Sequence, residues 1–346
     1  MPISFKGAKR YKKHNGFSET AEIKKPIASP IHYYSLLQDN ILLKPLVTAG
    51  DRVLIGERIA DLNEFRAIPV ISTVSGTVLT ADNGMIAIEN DFLDDETLIR
   101  LPVKPAEEMT SRELLWLIRE SGIVEPRTGE PAHLLLSQGK VPNCAVVCCF
   151  DSDPYVSSPQ MSSVNNAEKI LSGLNLALRL LCVKKAIIAV ESTSKKTYSD
   201  FKYLLRYNKN ILLYSLKPYY PQSRSDILIK TLTGKQEDGI STVILSPEML
   251  CNIVDATEIG KPVTQKTVTV SGDDILEPSN FSVPLGATVD SLLVSAGYNE
   301  PQTVIMGGIT DGTSITDLNT PVTSSTRAVI AFNDKNNIPP YRKEPV

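Results

Sequence analysis

The sequence has few of the residues that bind metals or form disulfides. Its 346 residues include five cysteines and three histidines, and no two cysteines stand in CxxC spacing. An odd number of cysteines without that spacing implies neither a disulfide framework nor a zinc site or iron–sulfur cluster. We therefore predict no metal site, and we expect a reducing, cytoplasmic environment.

Long hydrophobic runs and an excess of basic charge are also missing. No apolar run approaches the ~18 residues of a spanning helix, and the first residues lack the apolar centre of a secretory signal. The 36 basic and 39 acidic residues give a net charge of −3, which is not the overall charge of a nucleic-acid-binding protein. These absences predict no integral membrane segment and no nucleic-acid partner.

Enough apolar sequence is present to build more than one domain. At roughly 100–200 residues per domain, this length predicts two or three domains. Residues 1–30 are polar and basic, and we interpret them as a solvated arm, with an anionic partner or a membrane surface as the alternative. The polar, proline-containing tail 333–346 is predicted to be disordered.

Residues 31–104 predict a small all-β unit. Short apolar runs are separated by turns at residues 49–51, at Gly56, at Ser75-Gly76 and at Asn83-Gly84, and Asn-Gly is a strong hairpin signal. The stretch AGDRVLIGERIA (49–60) resembles the barrel-sandwich hybrid of biotinyl and lipoyl carriers. Its connecting segment 62–67 contains no lysine, so we predict the module without a swinging cofactor arm.

Residues 105–262 predict a Rossmann-like α/β domain with a mainly parallel sheet. Thr110 and Glu113 form a capping box before an apolar helical stripe. Beyond it, predicted strands at 144–150, 184–191 and 211–217 alternate with predicted helices at 166–181 and 195–207, which is typical of βαβ crossovers. Residues 263–332 predict two strands, a short helix ending at Gly297 and further strands, which together resemble a β-grasp unit.

Two aspartates follow the first predicted strand of this α/β domain. Open α/β sheets bind ligands at the carboxyl ends of their strands, where FDSDPY (150–155) places Asp151 and Asp153. One interpretation is that both side chains cap a turn before Pro154. Another is a DxD phosphatase with Asp151 as nucleophile, Asp153 as acid/base and Asp273-Asp274 as a later acidic pair for Mg²⁺, although Tyr155 departs from that pattern.

Several short motifs in unbroken order resemble RnfC, the C subunit of the Rnf electron-transport complex and a relative of the NADH- and FMN-binding flavoprotein subunit of respiratory complex I. They are FKG (5–7), AGDRVLIGERIA (49–60), SGTV (75–78), DPY (153–155), YP (220–221), LTGKQ (232–236), GKPVTQKTVTVSG (260–272), LGATVDSLLVSAGY (285–298) and VIMGG (304–308). The resemblance implies a barrel-sandwich hybrid at 31–104, a flavoprotein-like α/β domain at 105–262 and an SLBB-type β-grasp domain at 263–332.

The sequence departs from this family at the positions that would hold the cofactor. The glycine-rich FMN loop of the family corresponds to residues 122–131, where Gly122 and Gly129 remain but Glu125, Pro126 and Arg127 stand at other positions. Glycine amides cradle a phosphate, whereas proline removes an amide and glutamate adds an anion. The family's ferredoxin-like region with two CxxCxxC runs is also absent from these residues, so we expect no [4Fe–4S] cluster.

The resemblance nevertheless assigns candidate contacts for a flavin or nicotinamide nucleotide. By family position these are Gly122, Gly129, Asp151, Asp153, Arg224 and Lys235. No residue is predicted to be catalytic. His133 is interpreted as a structural residue. The vicinal pair Cys148-Cys149 is also interpreted as structural, since strand alternation sends the two thiols to opposite faces.

The favoured hypothesis is an accessory, partner-binding component of an electron-transfer system with no cofactor of its own. Its partner would be a redox protein or a subunit of a membrane electron-transport or reductase complex, with the chain cytoplasmic or peripheral to the inner face of the membrane. The first alternative is an oxidoreductase that still binds FMN or NAD(H) through substituted contacts. The second is the DxD phosphatase.

Overall fold

The computed structural model describes residues 2–5, 7–17, 19–97, 101, 104–137, 139, 141–234 and 242–339. Lys235 and residues 340–346 therefore lie outside the described residues. The tail predicted to be disordered is ordered at its start, where Lys335–Asn337 form a short 3-10 helix. Within them the chain forms one all-antiparallel unit, one parallel sheet flanked by helices, and one mixed sheet with a single helix.

The basic N-terminal segment packs against the α/β unit. The amide of Lys9 donates to the carbonyl of Tyr220 at 3.3 Å, and that of His14 donates to Pro154 at 2.8 Å. Asn15 is buried, and its side-chain amide donates to the carbonyl of Val156 at 2.9 Å. The side chains of Lys9, Arg10 and Lys12 are exposed, whereas backbone groups of residues 9–15 find partners on the folded domain, so this part of the predicted arm is attached to the α/β unit.

The all-β unit consists of nine short strands. A four-stranded antiparallel sheet has the order β1-β9-β8-β5, and β4-β6-β7 and β2-β3 form two smaller sheets. The predicted hairpin turn joins β8 to β9, with Asn83 at φ 51° and Gly84 at φ 78°. The strands are β1 (Ile31–Ser35), β2 (Leu37–Gln38), β3 (Ile41–Leu42), β4 (Lys44–Pro45), β5 (Arg52–Val53), β6 (Arg58–Asp61), β7 (Val70–Ile71), β8 (Gly76–Asp82) and β9 (Met85–Asn90).

The second unit is a four-stranded, fully parallel sheet of order β12-β11-β10-β13. Its first helix begins at the predicted capping box, where the Thr110 hydroxyl and the Glu113 carboxylate each accept the other's backbone amide. The elements are α1 (Ser111–Glu120), α2 (Ala132–Leu136), β10 (Cys144–Cys148), α3 (Ser158–Ser163), α4 (Ala167–Leu181), β11 (Ala186–Glu191), α5 (Lys195–Leu204), β12 (Ile211–Leu216), α6 (Ser225–Thr233), β13 (Thr242–Leu245) and α7 (Pro247–Ile259).

Close contact between α4 and α7 depends on one glycine. A β-carbon at Gly173 would lie 2.2 Å from the carbonyl oxygen of Leu250, so a larger residue would push the two helices apart. Both helices cover one face of the sheet and bury Ile170, Leu174 and Ile253 against it. Burial on both faces explains why the two central strands, β10 and β11, are almost continuously apolar rather than alternating.

The third unit is a five-stranded mixed sheet of order β15-β14-β18-β16-β17, in which β14 and β18 are parallel and the other pairs are antiparallel. Helix α8 packs on one face and ends at Gly297, as predicted. The elements are β14 (Gln265–Gly272), β15 (Ser279–Pro284), α8 (Val289–Ala296), β16 (Thr303–Met306), β17 (Thr313–Ile315) and β18 (Ala328–Phe332).

Candidate functional site at the carboxyl edge of the parallel sheet

Asp151 and Asp153 lie just beyond β10, and both are almost completely buried, at 4% and 3% exposed. Each carboxylate accepts the backbone amide two residues further on, Asp151 from Asp153 at 3.0 Å and Asp153 from Tyr155 at 2.9 Å. These contacts are the turn geometry that the sequence suggests. Burial, however, requires further partners for both charges.

Arg327 supplies the main partner of Asp151. Its guanidinium, contributed by the residue before β18, forms an ion pair with Asp151 Oδ2 and a second one with Asp311 at 2.7 Å. The other oxygen of Asp151 accepts the hydroxyl of Ser223 at 3.0 Å. Burial raises the pKa of Asp151, but the nearby charges of Arg327 and Arg127 outweigh burial and hold that pKa below its usual value.

Asp153 has a much weaker set of partners. Its Oδ2 lies 3.4 Å from the amide of Thr310, at the limit of a hydrogen bond, and a β-carbon at Gly308 would lie only 2.7 Å from it. Gly308 is therefore needed for this close approach. Burial, together with the negative charge of Asp151, raises the pKa of Asp153 to about 7.

Folding stability should depend on pH through Asp153. Its ordinary pKa is 3.8, so its contribution is complete below about pH 4 and is lost as the pH rises through about 7. We expect the free energy of unfolding to fall between pH 5 and 8.5 by roughly 2–3 kcal/mol relative to Asp153→Asn, because about two of the three pKa units lie above pH 5. Urea titrations of both proteins across this range measure the difference. If the free energies of unfolding of the two proteins change in parallel with pH, the raised pKa of Asp153 is contradicted.

A second buried network joins the N-terminal segment to this edge. Lys13 Nζ forms an ion pair with the buried Glu191, at the end of β11, at 2.9 Å. Gln160 donates to the same carboxylate at 3.2 Å and to the carbonyl of Asp151 at 3.1 Å. The charges at this edge therefore have partners from separate parts of the chain.

Residues 122–131 form a tight loop organised around Glu125. This glutamate is 1% exposed, and its side chain accepts the amide of Arg127 at 3.1 Å and the amide and hydroxyl of Ser246 at 2.9 Å. Its carbonyl accepts the amides of Thr128 and Gly129 at 3.2 and 2.9 Å. Burial raises the pKa of Glu125. The loop thus directs its amides at one of its own residues.

The cavity between this loop and the strand ends is very small. Its volume is about 10 Å³, and its lining includes Arg127, Cys148, Ser158, Ser246, Lys266 and Arg327. A volume of ~10–15 Å³ is the least that holds one water molecule. A larger cavity of about 390 Å³ touches Gly122 and Gly129 and is bordered by Tyr33, Tyr34 and Gly286 from the other two units.

The remaining predicted contacts are not brought together. Arg224 is exposed and forms an ion pair with Asp226 at 2.6 Å, and Lys235 lies outside the described residues. Gly122 and Gly129 border the larger cavity, whereas Asp151 and Asp153 contact Arg327 and the loop around residue 310.

The residues interpreted as structural are buried. His133 is fully buried, and its Nε2 contacts the carbonyl of Phe65. Cys148 and Cys149 belong to different apolar clusters, on opposite faces of the sheet, and burial raises the pKa of both thiols. The placement of the two thiols on opposite faces is confirmed, whereas the structural role of His133 and of the cysteine pair stays a prediction.

The phosphatase hypothesis finds no support in this geometry. Both side-chain oxygens of Asp151 are engaged, by Arg327 and Ser223. Asp273 accepts the amide of Asn333 at 3.1 Å, and Asp274 contacts Asn299. Over the described ranges, no group of three or more histidine, cysteine, aspartate or glutamate side chains is placed to hold a metal ion.

Two family models match the chain in succession. The RnfC barrel sandwich hybrid domain matches residues 3–94, and the Nuo51 FMN-binding domain matches residues 118–258. These matches confirm the predicted mixed α/β fold with a barrel-sandwich hybrid unit. The division at residue 262 and the SLBB-type assignment of the last unit stay predictions.

Curated relatives align with most of the chain. The C subunit of the proton-translocating ferredoxin:NAD(+) oxidoreductase complex of Clostridium ljungdahlii is 27% identical over 85% of this chain and 69% of its own. The Na(+)-translocating counterpart of Acetobacterium woodii is 26% identical over 84% of this chain and 70% of its own. The C subunit of the ion-translocating oxidoreductase complex of Haemophilus influenzae Rd is 24% identical over 83% of this chain, but the match covers only 37% of its own length.

Solved structures show the same fold. An NAD+-reducing [NiFe]-hydrogenase matches in its air-oxidized and H2-reduced states, with TM-scores of 0.52 and 0.54 at 17% and 16% identity. The chain spans about half the length of those hydrogenase chains, of which 47% and 48% are covered. The two family models and the curated relatives together identify the chain as RnfC-like, similar to the RnfC proteins of ion-translocating oxidoreductase complexes.

Proposed function

We propose that this chain is an accessory, partner-binding component of an electron-transfer system, and that its FMN site is degenerate. The observation that carries the proposal is the cavity of about 10 Å³ between the 122–131 loop and the ends of β10 and β13. Sites for molecules of cofactor size occupy roughly 300–1,000 Å³. The residues present therefore do not fit FMN between this loop and the ends of β10 and β13.

Glu125 accounts for the loss of phosphate binding. A phosphate group bound here would need amides of the loop and of the start of α7. The Glu125 carboxylate already accepts the amides of Arg127 and Ser246, and its carbonyl accepts those of Thr128 and Gly129. The Glu125 carboxylate thus occupies amides that a bound phosphate would need.

The cations around the small cavity are likewise committed to internal partners. Lys266 is buried, donates to the carbonyl of Ser324 at 2.6 Å and lies 3.8 Å from Glu248. Arg127 donates to the carbonyl of Ser223 at 2.6 Å, and Arg327 pairs with Asp151. Binding a dianionic group would require breaking these internal contacts and would leave their present partners unpaired.

Cysteine placement supports the absence of a cluster from these residues. A [4Fe–4S] cluster needs four thiolates in one place. Cys148 and Cys149 are buried on opposite faces, Cys182 is exposed after α4, and Cys251 lies within α7. We propose that electrons do not pass through a cluster held by this part of the chain.

The relatives indicate the class of partner. They are named as subunits of ion-translocating oxidoreductase complexes, and we propose that this chain likewise binds a redox protein or a subunit of a membrane electron-transport or reductase complex. In the part of the chain that the structure describes, no helix is both long and apolar enough to cross a membrane.

A second candidate is an oxidoreductase subunit that binds FMN or NAD(H) elsewhere. The cavity of about 390 Å³ is large enough for part of such a molecule and is bordered by Gly122 and Gly129. None of the cations discussed above borders it, so a phosphate there would rest on amides and hydroxyls alone.

Flavin reconstitution distinguishes the two candidates. We expect the purified protein, incubated with excess FMN and then gel-filtered, to retain less than about one flavin per ten chains, because the loop amides of the family site are occupied. The absorbance spectrum near the flavin maximum measures the retained fraction. A flavoprotein of known stoichiometry treated in the same way is the control, and stoichiometric flavin that NADH reduces would establish the second candidate instead.

A further inference from the structure

A patch of exposed cations and tyrosines lies at the amino edge of the parallel sheet, opposite the edge described above. It is formed by the residues that precede β11 and β12 and by the end of α5. These segments are adjacent, since the amide of Ala186 donates to the carbonyl of Asn210 at 3.1 Å. The basic–aromatic patch consists of Lys184, Lys185, Lys202, Tyr203, Arg206, Tyr207 and Lys209, all exposed.

Arg206 holds the centre of the patch in a fixed arrangement. Its guanidinium lies 4.1 Å from the ring centre of Tyr203 and 5.1 Å from that of Tyr207, and it donates to the carbonyl of Tyr203 at 3.2 Å. Both rings remain open to solvent, at 66% and 86% exposed. Exposed rings held against a cation present apolar faces at little cost in conformational entropy.

No carboxylate of the described residues pairs with the five cations of the patch. The nearest acidic residue along α5, Asp200, pairs instead with Lys196 at 3.3 Å. Setting the five patch cations aside leaves 31 basic residues against 39 acidic ones in the sequence. The patch is therefore a local positive field on a protein whose remaining net charge is negative, and an anionic partner would be attracted here.

We propose that the basic–aromatic patch docks on an anionic lipid surface. Four of its five cations are lysines, which are depleted at protein–protein interfaces but contribute to adsorption on anionic headgroups. Tyrosine suits the same boundary, because its ring is apolar while its hydroxyl stays in the headgroup layer. The patch lacks the buried apolar anchor that a protein interface requires. This inference is independent of the flavin site.

Vesicle co-sedimentation tests the proposal with lipid alone as the probe. We expect the full chain to sediment with phosphatidylcholine vesicles that contain about 30% phosphatidylglycerol, and not with pure phosphatidylcholine. Binding should fall at least tenfold when the salt rises from about 50 to 500 mM, because screening weakens contacts between exposed charges. It should fall at least tenfold in the double variant Lys202→Glu, Lys209→Glu.

The matched control is Lys44→Glu, Lys261→Glu, which makes the same change in net charge at exposed lysines outside the patch. It should bind vesicles within about threefold of the unchanged protein. Tyr207→Ser should weaken binding without altering the salt dependence. Equal losses of vesicle binding in the two double variants would overturn the proposal. So would the absence of sedimentation of the unchanged protein at low salt, which would favour an acidic protein partner. Thermal unfolding confirms that each variant is folded.

Discussion

Replacing Arg327 by methionine is expected to lower the free energy of unfolding by roughly 3–5 kcal/mol. Arg327 is the cation that pairs with the buried Asp151, and it also joins Asp311. Methionine keeps most of the apolar volume but leaves Asp151 as an uncompensated buried charge. Chemical denaturation of the two proteins at pH 7 measures the loss.

Two further variants distinguish the effect of the unpaired Asp151 charge from a general loss of packing. Adding Asp151→Asn to Arg327→Met should recover part of the lost stability, because the stranded charge is then removed. Arg224→Met removes an exposed ion pair with Asp226 and should cost less than about 0.5 kcal/mol. A loss below about 1 kcal/mol for Arg327→Met would show that the pair adds little to the fold.

Arg119→Met is expected to have a loss of similar size, roughly 3–5 kcal/mol. Arg119 is fully buried in α1, and its guanidinium contacts both oxygens of Asp61, at 2.5 and 3.2 Å. Its Nε also donates to the carbonyl of Glu64 at 3.0 Å. Because α1 and β6 belong to different units, the change should also weaken the contact between the all-β unit and the α/β unit.

Hydrogen exchange gives a local readout for this second variant. Amides of α1 and of residues 58–66 should lose protection before those of β10 and β11. Arg66→Met is the control, since Arg66 contacts Glu64 at the surface at 2.6 Å and its loss should cost less than about 0.5 kcal/mol. A uniform loss of protection across the sheet would contradict a role in joining the two units.

Local signals in the sequence predicted local structure well. The Asn83-Gly84 hairpin, the capping box at Thr110 and the end of α8 at Gly297 all occur as predicted, because turn and cap residues act through neighbouring backbone. Predicted helix 195–207 ends earlier, at Leu204, and no pattern predicted α6 or α7. Both helices end at a glycine in the left-handed region, Gly234 and Gly260, and bury apolar residues in the clusters on the two faces of the sheet.

The candidate site was predicted only in part. Its place beyond the first parallel strand followed from the position of Asp151 and Asp153, and the loss of the glycine-rich loop followed from Glu125 and Pro126. Arg327 was missed, since it lies 176 residues from its partner and no local pattern connects them. A similarly long separation along the chain explains why Gly308 was not linked to Asp153.

The sequence by itself determined the order of the units, the parallel sheet, the resemblance to RnfC and the departure from its cofactor loop. Only the tertiary structure decided that the loop supplies its own anion, that buried cations close the cavity, and that the N-terminal segment packs on the sheet. The physical reason is that propensities and caps act over a few residues, whereas charge compensation and cavity volume depend on which distant side chains the fold brings together.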